Sequence, residues 1–581
     1  MLQAIDWVII CLSIAITLGI GLYVTKRASS SIGEYFLAGR HFPWYILGLV
    51  GMATYVDMSG TMFQVSYFYL LGVKGYWVAF EGSLALFLAF LMVFMAKWLN
   101  RSGCMTNADL IQTRFGHGMQ GQIARLISAI TVLILVVCFL GYFFVGTAKF
   151  LPIYIPIESI SPNVIALLFF LTVGIYTIAA GFHGVVLTDI FQAALIFCIV
   201  IYIAVKAFIT GTPEYFAQYT TPEWHRLMLS SWSVAMPAGY EHMQMLGVLI
   251  IAWFAANVFQ GFALPFDAWT SQKFYSAKDP RESSLTAGWW IFLFSFRFPL
   301  MMGMGVLAVG IAGKIAEPEL ALPMVILELV PVGVKGLLIA AVIAGARSTL
   351  SGFMNSSAVY FVNDIYDLHL HKNSSPRHLV IVSYITTGVI MAIGILVGWK
   401  VRTIDSIWGW IIMGLITGML PPNIAKWFWW RFNGVGYAIG SAAGIAGAII
   451  YKVWIPDAPP YATFAFVIIV STLGTVIGGA FGKPTDMDTL VKFYKQIRPF
   501  GFWGPVRKLC APEFVNEVKK ESNRDLLLLA PACIWQLALF WFMTAIVVKK
   551  WDSVAAAGVA VVLLSLVLYK YWYKNLARSQ Q

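Results

Sequence analysis

Charge is scarce in this chain: Asp, Glu, Lys and Arg make up 11% of its 581 residues, against 60% hydrophobic residues. Soluble domains carry about 25% charged residues, so a soluble globular protein is excluded. Cysteine is rare as well. The six cysteines (Cys11, Cys104, Cys138, Cys198, Cys510 and Cys533) are scattered with no C-x-x-C pair, which argues against a disulfide framework or a zinc site and leaves them as packing residues. No Walker A sequence is present, so ATP-driven transport is not expected. The spans hold no His/Asp or Cys/His constellation: His183 is expected in a tight loop, and His369, His371 and His378 at a cytoplasmic helix end. An enzyme is therefore not expected. A solute sensor would need an output domain, and only about eight residues follow the last apolar stretch.

Long apolar runs are what the chain has in abundance. Fifteen stretches reach membrane-spanning length, at about 6–24, 44–71, 76–98, 122–150, 163–181, 184–209, 245–270, 284–313, 335–366, 378–399, 404–426, 434–455, 460–481, 526–547 and 553–573. The expected fold class is an all-α polytopic membrane protein in the plasma (inner) membrane, with the bilayer as its solvent. Most of the 39 Lys and Arg residues fall in alternate loops, including Lys26, Arg27, Arg101, Arg114, Lys273, Lys278 and Arg281. The positive-inside rule then predicts the N-terminus outside and the C-terminus in the cytoplasm. The longest outer loop, about 210–244, carries Glu214, Glu223 and Glu241 against a single Arg226. The formal charge of +12 is thus explained by loop topology, and nucleic acid is not an expected partner. Asp6 precedes the first apolar run and Lys26-Arg27 follows it, the reverse of a secretory signal, so a retained first helix is expected.

Two spans look interrupted. The second holds Gly48, Gly51, Gly60 and the polar run Thr54-Tyr-Val-Asp-Met-Ser59; the seventh holds Gly261, Pro265, Asp267, Thr270 and Ser271. Broken helices five spans apart are what an inverted repeat of two five-helix units would produce, with its site near the midplane. The implied organisation is residues 1–43 (first helix and loop), 44–240 (first repeat and outer loop), 241–430 (second repeat), 431–481 (two peripheral helices), 482–525 (polar cytoplasmic linker) and 526–581 (two-helix appendix).

The chemistry is sought among polar residues placed where lipid would favour hydrocarbon. In the ninth span Gly345, Ser348 and Thr349 stand at relative positions 0, 3 and 4 and share one helical face. Neutral hydroxyl and carbonyl oxygens suit a hard cation that must also be released. Membrane Ser and Thr hydroxyls also simply bond the i−4 carbonyl, and that reading stays open. Asp57 lies in the interrupted second span, where it can sit beside a cation, carry a proton or join an ion pair; Asp189, nearer a membrane edge, can be half of an ion pair. Arg297 and Arg347 are intramembrane cations. They suggest either an anionic solute or internal salt bridges with Glu81, Asp57 or Asp189.

With these residues assembled, the chain resembles the sodium/solute symporter family over roughly residues 5–480. The resemblance rests on Tyr35-Phe-Leu-Ala-Gly-Arg40, Asp57-Met-Ser-Gly60, Ala108-Asp-Leu-Ile-Gln-Thr-Arg-Phe-Gly116, the Gly181 to Gln192 element, Gln272-Lys-Phe-Tyr-Ser-Ala-Lys-Asp279, and Ser348-Thr-Leu-Ser351 with Val362-Asn-Asp-Ile-Tyr366. Asp57-Met-Ser-Gly60 and Ser348-Thr-Leu-Ser351 resemble the proline carriers, while Trp427-Phe-Trp-Trp-Arg-Phe-Asn433 resembles the sodium/glucose side.

The resemblance implies a LeuT-type inverted-repeat core of about 15 helices in all. It also implies sodium-coupled import of a small organic solute, such as a sugar, an amino acid like proline or a carboxylate, by alternating access. A proton-coupled carrier and a transporter-like sensor are the alternatives. The principal sodium site would use carbonyls of Ala53, Val56 and Gly345 and hydroxyls of Ser348 and Thr349, with Asp57 nearby. A second site would use Asp189, Ser348 and Ser351, but Gly352 lacks the next hydroxyl, which favours one sodium per solute. Gly60, Asp267 and Trp269 are the solute positions that the resemblance implies, with Gly60 standing where sugar carriers have a Gln; Glu81 in the third span and the intramembrane Arg297 are further candidate contacts. Sodium is the only ion implied, and the sequence selects no oligomeric state.

Overall fold

The computed structural model describes residues 2–28, 40–81, 84–155, 159–263, 268–372 and 374–576. Helices make up the regular structure of these residues; the one β-type pairing among them is an isolated bridge between Trp429 and Phe502. Eleven helices are long and apolar enough to cross a membrane, or twelve if a bent pair counts as one span, and Ala4–Thr17 and Pro162–Ile175 are shorter apolar helices. The helices begin where the sequence supplies a start. Proline occupies a first-turn position in Pro162–Thr210, Pro280–Ser295, Pro376–Trp399, Pro460–Phe481 and Pro512–Val547, where its missing N–H has no partner to lose. Asp279, Ser375, Thr403 and Asn433 each accept a backbone N–H as N-cap.

The Val334–Phe361 helix forms the centre of the molecule. It packs against Ala4–Ala28, Met119–Phe150, Pro162–Thr210 and Pro376–Trp399, and most of its side chains are buried, the polar Arg347, Ser348, Thr349, Ser351 and Asn355 among them. Lipid-facing helices contrast with it: Leu563, Leu566 and Tyr569 in Trp551–Tyr571 are exposed.

Three expectations change. The spans expected at 163–181 and 184–209 are one helix, Pro162–Thr210, of 49 residues, and residue 183 lies within it instead of in a tight loop. A glycine pair, Gly181 and Gly184, marks a possible turn in sequence, but a helix whose ends are held by packing keeps its backbone hydrogen bonds through such residues. The segment expected as a polar linker is structured. Its Met487–Ile497 helix buries Leu490, Phe493, Tyr494 and Ile497, and Trp503 Nε1 donates to the Trp427 carbonyl at 2.9 Å. Finally, the first appendix helix starts at Pro512. Its charged first turns are helical because Lys97 reaches Asp525 (2.5 Å) and Glu521 (3.2 Å), and Arg101 reaches Glu521 (2.7 Å).

Candidate functional site

The second span breaks as its sequence suggests. Trp44–Thr54 and the helix from Met58 diverge by 65°. The first half ends with Tyr55 N–H on Met52 O (3.1 Å) and Val56 N–H on Ala53 O (3.2 Å). Asp57 then caps the second half, its carboxylate accepting Gly60 N–H at 2.7 Å, while Thr61 Oγ1 donates to the Asp57 carbonyl at 2.6 Å. A Thr-Tyr-Val-Asp run favours such a break because Asp is a strong N-cap and β-branched Thr and Val are weak helix formers.

The broken backbone lies directly on the central helix. A β-carbon at Gly345 would stand 2.2 Å from the Val56 carbonyl oxygen, so only glycine permits that approach. Thr349 Oγ1 donates within reach of Thr54 O (2.7 Å) and Gly345 O (3.0 Å). Ser348 Oγ is buried and faces the Asp189 carboxylate, but no atom among the described residues meets hydrogen-bond geometry with it. That sets it apart from its neighbours: Thr54, Thr147, Thr177 and Thr188 all bond their i−4 carbonyls, and Ser351 Oγ bonds Ser348 O at 2.9 Å. The bland reading of membrane hydroxyls thus describes most of them, but not Ser348. Gly345 meets Val56 and Thr349 meets Thr54, the residue after Ala53, at one junction, with Ser348 on the same helix. The Asp57 carboxylate instead faces Gly60.

Asp189 is fully buried, with Oδ2 unpartnered among the described residues. With its amide nitrogen turned toward them, Gln192 reaches Asp189 Oδ1 (3.3 Å) and Ala344 O (3.0 Å). Lys273 and Arg347 are the cations whose charge acts on Asp189. The space beside Gly352 is open, with no heavy atom within 4 Å of where a β-carbon would be.

Beyond the break, the position of a β-carbon on Gly60 lies 2.5 Å from Asp57 Oδ1, 2.9 Å from Tyr142 Oη and 3.3 Å from Arg297 Nη2. Arg297 is buried, its guanidinium 5.4 Å from the Phe294 ring, and it forms no ion pair within 4 Å among the described residues. Of the partners weighed for it, Asp57 is the one whose charge acts on Arg297, from beyond ion-pair distance. Trp269 stacks on Phe353 at 3.7 Å and donates from Nε1 to Tyr55 Oη at 3.2 Å, closing the space between the break and the central helix. Asp267 lies outside the described residues. Glu81 is buried after the Gly72–Phe80 turn, and its Oε2 has no partner among the described residues.

Sequence reasoning missed several residues that line this region. Tyr142 packs on Trp408 at 5.0 Å, and neither Tyr142 Oη nor Trp408 Nε1 has a hydrogen-bond partner among the described residues. Nothing in Gly141-Tyr-Phe-Phe or in a tryptophan among 22 distinguishes them from packing residues. Asp405 accepts Tyr67 Oη (2.6 Å) and pairs with His242 (2.5 Å), while Lys149 pairs with Glu317 (2.8 Å) and Glu319 (2.7 Å). Thr403-Ile-Asp405 was readable as a capped helix start, and its long-range partners were not.

A break of this kind beside a buried, unpartnered hydroxyl is a transporter's architecture, and comparison with known proteins decides which. The family model described as "Sodium:solute symporter family" matches residues 35–444. The chain belongs to that family. It is a multi-pass membrane transport protein, and its function is sodium-coupled symport. Among its relatives, a sodium/glucose cotransporter of Vibrio parahaemolyticus is 25% identical over 506 residues, covering 79% of this chain and 87% of the relative. A sodium/myo-inositol cotransporter of Mus musculus is 26% identical over 504 residues, covering 77% and 67%. The symporter shares its fold with a Na+-coupled sialic acid symporter solved in a substrate-bound outward-open state. The TM-score is 0.64 at 20% identity, over 83% of this chain and 99% of the other.

Proposed function

We propose that this symporter imports a small polyhydroxylated solute, of the sugar and inositol kind, together with sodium by alternating access. The names of the two cotransporter relatives support the solute class. The observation that carries the coupling site is Ser348 Oγ: a buried hydroxyl with no atom in hydrogen-bond geometry among the described residues, on the helix that packs on the break. A hydroxyl that donates elsewhere still offers lone pairs, so Thr349 can bond Thr54 O and serve a cation as well. In this reading sodium binds carbonyls of Ala53, Val56 and Gly345 and hydroxyls of Ser348 and Thr349, with Asp57 organising the break from its far side. Residues 44–240 and 241–430 form a LeuT-type pair of five-helix repeats, flanked by the segments 1–43, 431–481, 482–525 and 526–581, in a molecule with the N-terminus outside and the C-terminus inside.

Sodium bridging the break and the central helix favours one arrangement of the two. A solute that favours the same arrangement is thereby coupled to it. A membrane potential of 100 mV supplies about 2.3 kcal/mol per charge carried inward. Gly352, without a hydroxyl, supports one sodium per solute over a second site with Asp189. Gly60, Glu81, Trp269 and Arg297, joined by Tyr142, bound the solute region, and Asp267 belongs to it by sequence.

The test is uptake of a pooled set of labelled sugars, cyclitols, amino acids and carboxylates into proteoliposomes, with an inward sodium gradient or with choline in its place. Uptake that needs sodium and disappears in Ser348→Ala supports the site. Equal uptake in choline overturns it and brings forward proton coupling through Asp57.

A further inference from the structure

A cavity of about 530 Å3 opens between the loop that precedes Leu246–Ala263 and the turn that joins Gly434–Trp454 to Pro460–Phe481. Small-molecule sites commonly run from about 300 to 1,000 Å3, so it has room for a monosaccharide. Glu81, His242, Asp405, Trp410, Lys452 and Asp457 are among its lining residues. The cavity lies one aromatic pair away from Gly60: Trp408, next to the cavity's Gly409, packs on Tyr142, whose hydroxyl borders Gly60.

Of the two buried carboxylates in the lining, Asp405 is paired and, among the described residues, Glu81 is not. His242 is committed to Asp405, which also accepts Tyr67 Oη. Lys452 Nζ donates to Pro456 O at 2.5 Å. Glu81 is 1% exposed, lines the cavity, and has neither an ion pair nor a side-chain hydrogen bond among the described residues. The space beside it is kept clear by Gly409, where a β-carbon would stand 3.7 Å from Glu81 Oε1. A buried carboxylate is stable only when something neutralises or pairs it. A ring in the wall suits a cation too: Trp410 is held by its Nε1–H on Ala448 O (3.2 Å) and offers an indole for a cation–π contact.

We propose that Glu81 binds an ammonium group on the solute, so that the transported molecule is an amino sugar or amino polyol and not a neutral sugar. The ammonium supplies the charge that Glu81 lacks, and the solute's hydroxyls face the Tyr142, Trp408 and Arg297 donors one layer deeper. The inference deepens the proposed function and rests on it for the polyhydroxylated part of the solute.

The experiment measures binding of glucosamine, N-acetylglucosamine and glucose to the purified full-length protein at pH 6 by titration calorimetry in sodium buffer. Glucosamine carries the positive charge, its N-acetyl derivative fills the same position without charge, and glucose has neither. The expected result is at least tenfold tighter binding of glucosamine than of either neutral sugar, reduced to less than threefold in Glu81→Gln. Equal affinities, a preference that survives in Glu81→Gln, or binding of none of the three overturns the inference. If Glu81→Gln does not fold, the wild-type comparison decides alone, and Glu81→Asp is expected to keep a weakened preference. Sodium-induced thermal stabilisation, measured on the same samples and abolished by Ser348→Ala, keeps the two proposals apart. Its presence without an amine preference sinks only this inference; its absence sinks the sodium site independently.

Discussion

Val56 and Gly345 touch so closely that a β-carbon at 345 would lie 2.2 Å from the Val56 carbonyl oxygen. The break in one helix is therefore seated on a glycine of another, and any side chain at 345 must push the released carbonyls away from Ser348 and Thr349. Gly345→Ala is expected to abolish sodium-dependent uptake, or to raise the half-saturating sodium concentration at least tenfold. Folding should persist, because a displaced backbone carbonyl in a polar junction can be rehydrated. Uptake against sodium concentration, with size-exclusion chromatography as the folding check, tests this.

In the proposed site Ser348 is a ligand alone, whereas Thr349 is ligand and scaffold at once. Ser348 Oγ makes no hydrogen bond among the described residues, whereas Thr349 Oγ1 bonds Thr54 O. Ser348→Ala should leave thermal stability in sodium-free buffer nearly unchanged while removing the stabilisation that sodium confers. Thr349→Val should lower stability in both buffers, by about 1 to 3 kcal/mol for a buried acceptor left without its donor. Thermal unfolding of the two variants with and without sodium distinguishes these patterns.

The His242–Asp405 contact predicts a pH dependence at the cavity mouth. Burial pushes the His242 imidazole down, but the hydrogen bond and charge of Asp405, aided by Glu241, outweigh it and leave the group above its usual 6.5. Its contribution to stability is full below the unfolded value of about 6.5 and is lost as pH rises through the folded value. Amide exchange of residues 239–244 should accelerate from pH 6 to pH 9 beyond the intrinsic rate. His242→Gln should remove that excess; an unchanged excess would refute the contact's role.

Lys97 ties the appendix to the core, and it is buried together with Asp525. Lys97→Met leaves that carboxylate with only Arg524 at 3.4 Å, and removal of one partner of a buried pair costs about 3 to 5 kcal/mol. Lys97→Met with Asp525→Leu should recover most of the loss, because two apolar groups then fill the same space. Thermal melting of the single and double variants measures both steps.

Ser348, Thr349 and Gly345 were legible because helical periodicity alone puts them on one face, and the second-span break because Asp57 follows weak helix formers. The same local rules gave no view of Tyr142, Trp408, His242 or Asp405, whose importance comes from partners more than a hundred residues away: Tyr67 with Asp405, or His242 with Asp405. Arg297 shows the limit from the other side. Its charge and its depth were evident in sequence, and its lack of a salt bridge was not.

Composition and local pattern, then, determined by themselves that this chain lives in a membrane, where one span breaks and which hydroxyls share a face. These follow from hydrophobicity, capping and the 3.6-residue turn, all of which act within a few residues. Tertiary structure alone decided that residues 162–210 run as one helix, that 482–525 folds back onto the core, that Ser348 has no atom in hydrogen-bond geometry among the described residues, and that Glu81 lines a cavity with no ion pair among them. Pairing is the reason: whether a buried polar atom is satisfied depends on which distant side chain packing brings to it, and no local pattern encodes that.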